Sequence, residues 1–325
     1  MEQLLNRVLS LQNRNPLSDT YGCFDRNYWH FKTIIDFPSA TYQQAILGLS
    51  ELYNSKINNS EFYKNDIIKE SIISGLLFWC KIQNKDGSHN EYYENDRSFC
   101  PTAFTSFSAA VVFMENENFF DKDQILLIKN TLKKSYSWLS SKSFPEVQNQ
   151  MIASMNSLFF ISKVFNDDIM IDAFINRKDE ILSAQNKEGW FSEYGGADIG
   201  YCFKSLDLFA IYHSHENDNE VYNAVKRLCN FIIYFIHPDG SAGGAYSSRA
   251  TSHVFPYGIK YFAKTGMIEA EYLYNWYEKS LSKNKIISPM EIDDKYISYF
   301  YFNSIIKSDL LKFDLPQNNL SSIDK

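Results

Sequence analysis

An arginine, a histidine and a tyrosine stand four residues apart at Arg249, His253 and Tyr257, directly after the glycine-rich stretch Gly243-Gly244-Ala245-Tyr246-Ser247-Ser248. On a helix that spacing puts all three on one face, and elimination from a uronic acid needs such a set. A cation, Arg249, would neutralise the carboxylate. A base, His253 or a tyrosinate, would take the proton α to it, and an acid, Tyr257, Tyr246 or Tyr201, would protonate the leaving oxygen. An epimerase would need the same base and acid on opposite faces. The structural alternative is that Pro256 interrupts the helix and His253 only caps it.

A second constellation pairs Asp86, His89, Glu91 and Tyr92 with Glu188, Glu193, Tyr194 and Asp198. Carboxylates facing each other across a cleft are what glycoside hydrolysis uses, one as acid and the other as base or nucleophile. Asp86, Glu188 and Asp239 recur at one position of a repeat, which argues for capping, so Glu193, Asp198 and His89 are the stronger candidates. A third is the segment Gly22 to Lys32, where Asp25, Arg26, Trp29, His30 and Lys32 could stack on sugar rings or bind hydroxyls and anionic groups. It reads equally as an N-terminal strap with Trp29 buried. Trp190 and Tyr246 complete the candidate binding set. His213, His215 and His237 read as capping or solvated.

The elements that must hold these groups are helical. From Ser39 to Tyr53, Tyr42, Ala45, Ile46, Leu49 and Leu52 recur at spacings of three and four behind Pro38. The same periodicity predicts helices over 66–83, 102–114, 122–139, 148–164, 169–185, 201–213, 219–236, 252–263, 268–281 and 289–306, with one more near 4–11. That makes about six hairpins. No strand precedes a glycine-rich phosphate loop, which excludes a parallel α/β fold, while short β pieces such as Trp190-Phe191-Ser192 remain open.

Three segments repeat: Gln83-Asn84-Lys85-Asp86-Gly87-Ser88, Gln185-Asn186-Lys187-Glu188-Gly189-Trp190 and Ile236-His237-Pro238-Asp239-Gly240-Ser241. Asp86 and Glu188 are 102 residues apart, Glu188 and Asp239 are 51 apart, so the unit is two helices and two loops. The glutamine can bind free carbonyls of its own or the next hairpin, and the acid can cap the following helix. Seven of the thirteen glycines lie between 189 and 244, so the elaborate loops gather at one end of the helical assembly, where binding is expected.

The glutamine and glycine of Trp79-x-x-x-Gln83-x-x-x-Gly87 and Ile181-x-x-x-Gln185-x-x-x-Gly189-Trp190 fall at the spacing of the repeat in terpenoid cyclases and protein prenyltransferase β-subunits, which this chain resembles. The resemblance implies an all-α fold, an (α/α) toroid of five to six helical hairpins. It covers the hairpins weakly and three turns moderately, and the third copy has Ile236 in place of glutamine. The cyclases' Asp-x-Asp-Asp acid is missing. The prenyltransferases' Asp-x-Cys zinc pair is matched only by Asp198 and Cys202, four apart, with His253, so no metal and no cofactor is called for. Glu193 to Tyr201 and Gly243 to Arg249 are similar in texture to the sugar-cleft loops of toroid carbohydrate-active enzymes of the heparinase II/III-like and alginate lyase type.

Composition narrows the rest. With 32 basic and 39 acidic residues the formal charge is −7, and no basic run tracks a phosphate backbone, which argues against nucleic acid. No run reaches a membrane span and no leader is apparent, so a cytoplasmic location is expected. The 5 cysteines, Cys23, Cys80, Cys100, Cys202 and Cys229, are scattered and should be reduced. One toroid domain over 1–314 with a frayed tail over 315–325 is expected. Three functions remain: an enzyme acting on an anionic poly- or oligosaccharide by lyase, epimerase or hydrolase chemistry in a cleft of loops 22–32, 86–101, 188–201 and 239–257; an isoprenoid-binding protein with a central aromatic cavity; or a non-catalytic toroid for a glycan or protein partner.

Overall fold

The computed structural model describes residues 2–56 and 61–313; the tail expected to fray lies outside them. Helix occupies 62% of it. The helices of eight residues or more are α1 (Glu2–Leu11), α2 (Ala45–Asn54), α3 (Asp66–Lys81), α4 (Phe99–Asn116), α5 (Lys122–Ser140), α6 (Gln148–Phe165), α7 (Asp168–Ser183), α8 (Ile199–His213), α9 (Asn219–Ile233), α10 (Pro256–Lys264), α11 (Ile268–Ser282) and α12 (Phe302–Leu310). They group into two compact units. The first takes the described residues up to Pro145 with Gln150–Ile181 and Pro289–Ile306; the second takes Glu146–Asn149, Leu182–Ser288 and the described residues from Lys307.

Both units alternate two kinds of helix. In the first unit α4 is buried on all sides from Pro101 to Phe113, and α5 after it is amphipathic, burying Ile128, Leu132, Ser135 and Leu139. In the second, α8 is buried along nearly its whole length and α9 buries Val221, Ala224, Val225, Leu228 and Ile232. A wholly apolar helix needs neighbours all round, whereas a striped one needs them on one side. The chain is thereby laid down as inner and outer members of hairpins. Aromatic side chains fill these layers, for example Phe104 against Phe300 at 5.9 Å in the first unit and Phe203 stacked on Trp276 at 6.0 Å in the second.

The three repeat turns share one geometry. The N–H of Asn84, Asn186 and His237 donates to the carbonyl of Ser88, Trp190 and Ser241 at 2.9, 2.9 and 2.8 Å, and Gly87, Gly189 and Gly240 donate back. The glycines have φ of +97°, +104° and +97°, and a Cβ on Gly87 or Gly189 would collide with the carbonyl of Lys134 or Arg227. Gln83 Nε2 donates to Thr131 O and Ser135 Oγ, both at 2.9 Å, and Gln185 Nε2 to Ala224 O at 2.8 Å. The glutamines therefore join successive hairpins as expected. The acids do something else: Asp86 and Asp239 accept from Ser88 and Ser241 in their own turns, and Glu188 accepts from Trp190 Nε1 at 3.0 Å.

A fourth copy of the turn was hidden. Gln12 Nε2 donates to Ser71 O at 2.9 Å, Asn13 N–H to Cys23 O at 2.8 Å, and Gly22 N–H to Asn13 O at 2.8 Å, with Gly22 at φ +88°. Nine residues separate Asn13 from Gly22 where three separate Asn84 from Gly87, and the insertion erases the pattern. Two further turns are braced by arginines instead. Arg177 on α7 donates to the carbonyls of Leu139 and Lys142, and Arg7 on α1 to those of Pro289, Met290 and Ile292.

Other departures are local. The helix expected from Ser39 opens as a 3-10 turn, Ala40–Gln44. The one expected from Ser252 begins at Pro256, whose fixed φ and missing N–H suit the first helical position. The one expected from Pro289 begins at Asp294, capped by Asp293, and passes through a π-type stretch, Ile297–Tyr301. Apart from isolated bridges such as Val147 with Glu193, no strand occurs among the described residues. No helix there is long and apolar enough to cross a membrane.

Candidate functional site

Two of the four predicted loops, 188–201 and 239–257, meet in the second unit, and Asp198 ties them together. Its fully buried carboxylate accepts from Tyr201 N–H at 3.1 Å in the first turn of α8, from Ser247 Oγ at 3.1 Å, from the N–H groups of Arg249 and Thr251 at 2.8 and 3.3 Å, and from Thr251 Oγ1. Gly200 permits the approach, since a Cβ there would strike Thr251. From below, α8 holds α10 close: Gly258 N–H donates to Asp207 Oδ1 at 2.6 Å.

Glu193 is the second buried carboxylate. Its oxygens accept from Asn149 N–H at 2.8 Å and Asn149 Nδ2 at 2.7 Å, in the first turn of α6, while Gln148 N–H donates to Ser192 O and Ser248 Oγ to Glu193 O. Burial pushes its pKa up to about 7; the Asn149 hydrogen bonds and the charge of buried Lys204 work against that, and the nearby Asp198 adds to it. With Glu193 anchored, Tyr194 is held at φ +56°, a left-handed conformation that costs a non-glycine residue about 1 kcal/mol or more. Its phenol is half exposed. The Arg249 guanidinium lies 4.4 Å from the centre of the Tyr194 ring and 5.9 Å from that of Tyr201.

The arrangement thus presents an exposed cation close to two phenol rings, on a loop pair whose two carboxylates accept from backbone, side-chain amide and hydroxyl donors. Arginine can take a sugar carboxylate bidentately, and phenol faces can stack on a pyranose. His253 sits half-buried in the non-helical run Thr251–Phe255. The Arg249–His253–Tyr257 series therefore shares no helix face, because Pro256 starts the helix after the first two. Tyr257 is buried on α10, 5.8 Å from the Tyr261 ring and 5.4 Å from Lys307 Nζ. Tyr246 is half exposed, but its hydroxyl donates to Phe235 O at 2.9 Å and accepts from Gly243 N–H at 3.1 Å. Trp190 stays in its repeat turn against Glu188 and Phe231.

The other two loops belong to the first unit. Asp25 is fully buried and accepts from the N–H groups of Asn27 at 3.1 Å and Ser39 at 2.9 Å; burial raises its pKa to about 6. Glu91 pairs with Lys295 at 3.0 Å, and that ammonium also lies 4.0 Å from the centre of the exposed Tyr92 ring. His89, expected to bind substrate, is fully buried and stacked on Trp79 at 4.9 Å; burial lowers its pKa to about 4. It is a core residue. Trp29 Nε1 donates to Leu11 O at 2.7 Å, which favours the strap, whereas Arg26, His30 and Lys32 stay at the surface, Arg26 Nη2 within 3.3 Å of His30 Nε2 and Lys32 over Phe31.

Asn149, Lys204, Ser247, Thr251 and Lys295 were not foreseen. Only Lys204 left a trace, as the one cation inside the apolar run from Ile199 to Ala210. No group of three or more His, Cys, Asp or Glu among the described residues could hold a metal ion.

This is the fold of the all-α toroid enzymes. Two solved structures share it. An unsaturated glucuronyl hydrolase specific for heparin matches with a TM-score of 0.58 and 11% identity, covering 86% of this chain and 88% of its own. A polysaccharide lyase matches with a TM-score of 0.57 and 8% identity, covering 95% and 97%. No family model matches, and no curated protein is similar in sequence.

Proposed function

We propose that this chain is an enzyme acting on an anionic poly- or oligosaccharide, with elimination at a uronate as the reaction its loops suit best. The observation that carries this is the Arg249 guanidinium within 4.4 Å of the Tyr194 ring centre and 5.9 Å of that of Tyr201. The likeness to a glucuronyl hydrolase and a polysaccharide lyase supports the same substrate class. Arg249 binds the carboxylate and spreads the charge that builds up as the α proton leaves. His253 removes that proton from C5; the electron pair forms the C4=C5 bond as the C4–O bond breaks, and Tyr201 protonates the departing oxygen. Asp198 and Glu193 position the loops, and Trp190, Asp25 and His89 stand outside the chemistry. Hydrolysis is the second reading, favoured by one observation: burial raises the Glu193 pKa to about 7, toward the range a general acid needs.

The test is a panel of heparin, heparan sulfate, alginate, pectate and their unsaturated oligosaccharides. Elimination creates a conjugated C4=C5 bond that absorbs in the ultraviolet, and the Arg249→Ala variant should lose about 100-fold in kcat/KM. Hydrolysis of unsaturated ends would instead bleach that absorbance. No change in absorbance and no new reducing ends on any member would overturn the proposal.

A further inference from the structure

Of the six hairpin turns among the described residues, five are braced by a polar side chain, Gln12, Gln83, Arg177, Gln185 or Arg7. The sixth has Ile236 where Gln83 and Gln185 stand. Its turn keeps the same backbone geometry, with Gly240 N–H donating to His237 O at 3.0 Å. Beside this turn, against α11, lies a cavity of about 170 Å³ lined by Pro238, Gly240, Tyr272, Trp276, Lys279 and Lys283, with Asn275 and Ser280. That is well above the room one water needs and below a drug-sized site, so it suits a ligand about the size of one sugar ring.

The lining is a set of donors. Trp276 Nε1–H is buried with no hydrogen-bond partner, which is uncommon for an indole. One face of its ring is held by Phe203 at 6.0 Å and 6°, so the N–H direction is fixed. Lys279 lies on the last turn of α11 and Lys283, four positions on, is the residue that caps it; neither has an ion-pair partner among the described residues. The acid at the rim, Asp239, is engaged by Ser241 N–H at 2.9 Å and by Lys285 at 3.8 Å. The carbonyl end of α11 disfavours an anion, but two ammonium groups outweigh its half charge.

We propose that this pocket binds an anionic group, carboxylate or sulfate, carried by a ligand no larger than one sugar ring. The two lysines contact the anion, and the Trp276 ring, Tyr272 and Asn275 contact what bears it. The site shares Gly240 with loop 239–257 but none of Tyr194, Asp198, Tyr201, Arg249 and His253, and it does not depend on their being catalytic.

Isothermal titration of the full chain with sodium glucuronate, sodium sulfate, sodium acetate and glucose tests it. The anions should bind and glucose should not; glucuronate binding tighter than sulfate and acetate identifies a sugar acid as the source, and the reverse order identifies a free anion. Trp276→Phe, which removes part of the aromatic wall together with the N–H, and the surface double variant Lys279→Ala/Lys283→Ala should each weaken binding about tenfold. Ile236→Gln, which restores the brace, should abolish it, and circular dichroism checks that each variant folds. Arg249→Ala should leave this binding unchanged, whatever becomes of turnover. No heat from any anion, or anion binding that survives all three pocket variants, would overturn the proposal.

Discussion

The first unit's Asp25, Glu91, Tyr92 and Lys295 and the second unit's Asp198, Glu193, Tyr194, Tyr201 and Arg249 are assembled from the same residue types, yet the cation is used differently. Lys295 sits 3.0 Å from Glu91, so its charge is spent on a carboxylate that lies in the same cluster. Arg249 lies over two phenol rings, and it is its backbone N–H that Asp198 takes up. One cluster fastens its unit together. The other fastens two loops through buried carboxylates and sets its cation over aromatic faces at the surface, the feature on which the proposed function rests. The lesson is that carboxylates near a loop say less about chemistry than the partners that already occupy them.

The largest effect should follow from Asp198→Ala. Five donors lose one acceptor, and buried N–H groups without partners are costly, so about 3–5 kcal/mol of stability should go together with any activity. Asp25→Ala removes an acceptor from two backbone N–H groups and should cost about 1–3 kcal/mol by chemical denaturation. Equal losses would erase the difference between the clusters.

Acid–base behaviour sharpens it. Glu193 has a folded pKa of about 7 against an ordinary 4.5, so between those values the folded chain holds a proton that the unfolded chain has released. Its contribution is present at low pH and falls by about 3 kcal/mol as pH rises through that window. Glu193→Gln should remove this downward slope while impairing activity. In the first unit Asp25, raised to about 6, acts the same way, and His89, lowered to about 4 from 6.5, acts oppositely: the unfolded chain binds the extra proton, so stability rises by about 3 kcal/mol from pH 4 to 6.5. Denaturation of His89→Phe against pH should therefore show a steeper fall than the wild type. A parallel curve would mean that His89 is solvated.

Thiol labelling gives the smallest effect. Burial raises the pKa of Cys23, Cys80, Cys202 and Cys229, Cys80 to about 12, and only Cys100 is less than fully buried. One thiol per native chain should react with an aromatic disulfide on the minute timescale, and all five after denaturation.

The hairpin architecture was open to reading because Gly87, Gly189 and Gly240 adopt a backbone that other residues resist, and because Gln83 and Gln185 mark where helices end. Gln12 and Gly22 escaped notice, since an insertion conceals a turn that three-dimensional hydrogen bonding restores. Arg7 and Arg177 escaped because the carbonyls they brace come from segments distant in sequence. For the site, the pairing of loop 188–201 with loop 239–257 was legible from glycine and aromatic density. The roles inside it were not. Periodicity set Arg249, His253 and Tyr257 on one helix face although Pro256 starts that helix, and the polar loop context of His89 hid its place on Trp79. Burial decides which ionisable group is structural, and burial depends on neighbours that local pattern does not reveal.

The most direct measurement compares binding of a uronate oligosaccharide and its carboxyl-reduced, neutral counterpart to chains with and without Arg249→Ala, both in the Lys279→Ala/Lys283→Ala background that weakens the second pocket. The account predicts that the uronate binds at least about tenfold tighter than the neutral chain and that Arg249→Ala removes that preference. Equal affinity for the two sugars, or a preference that survives loss of Arg249, would contradict it.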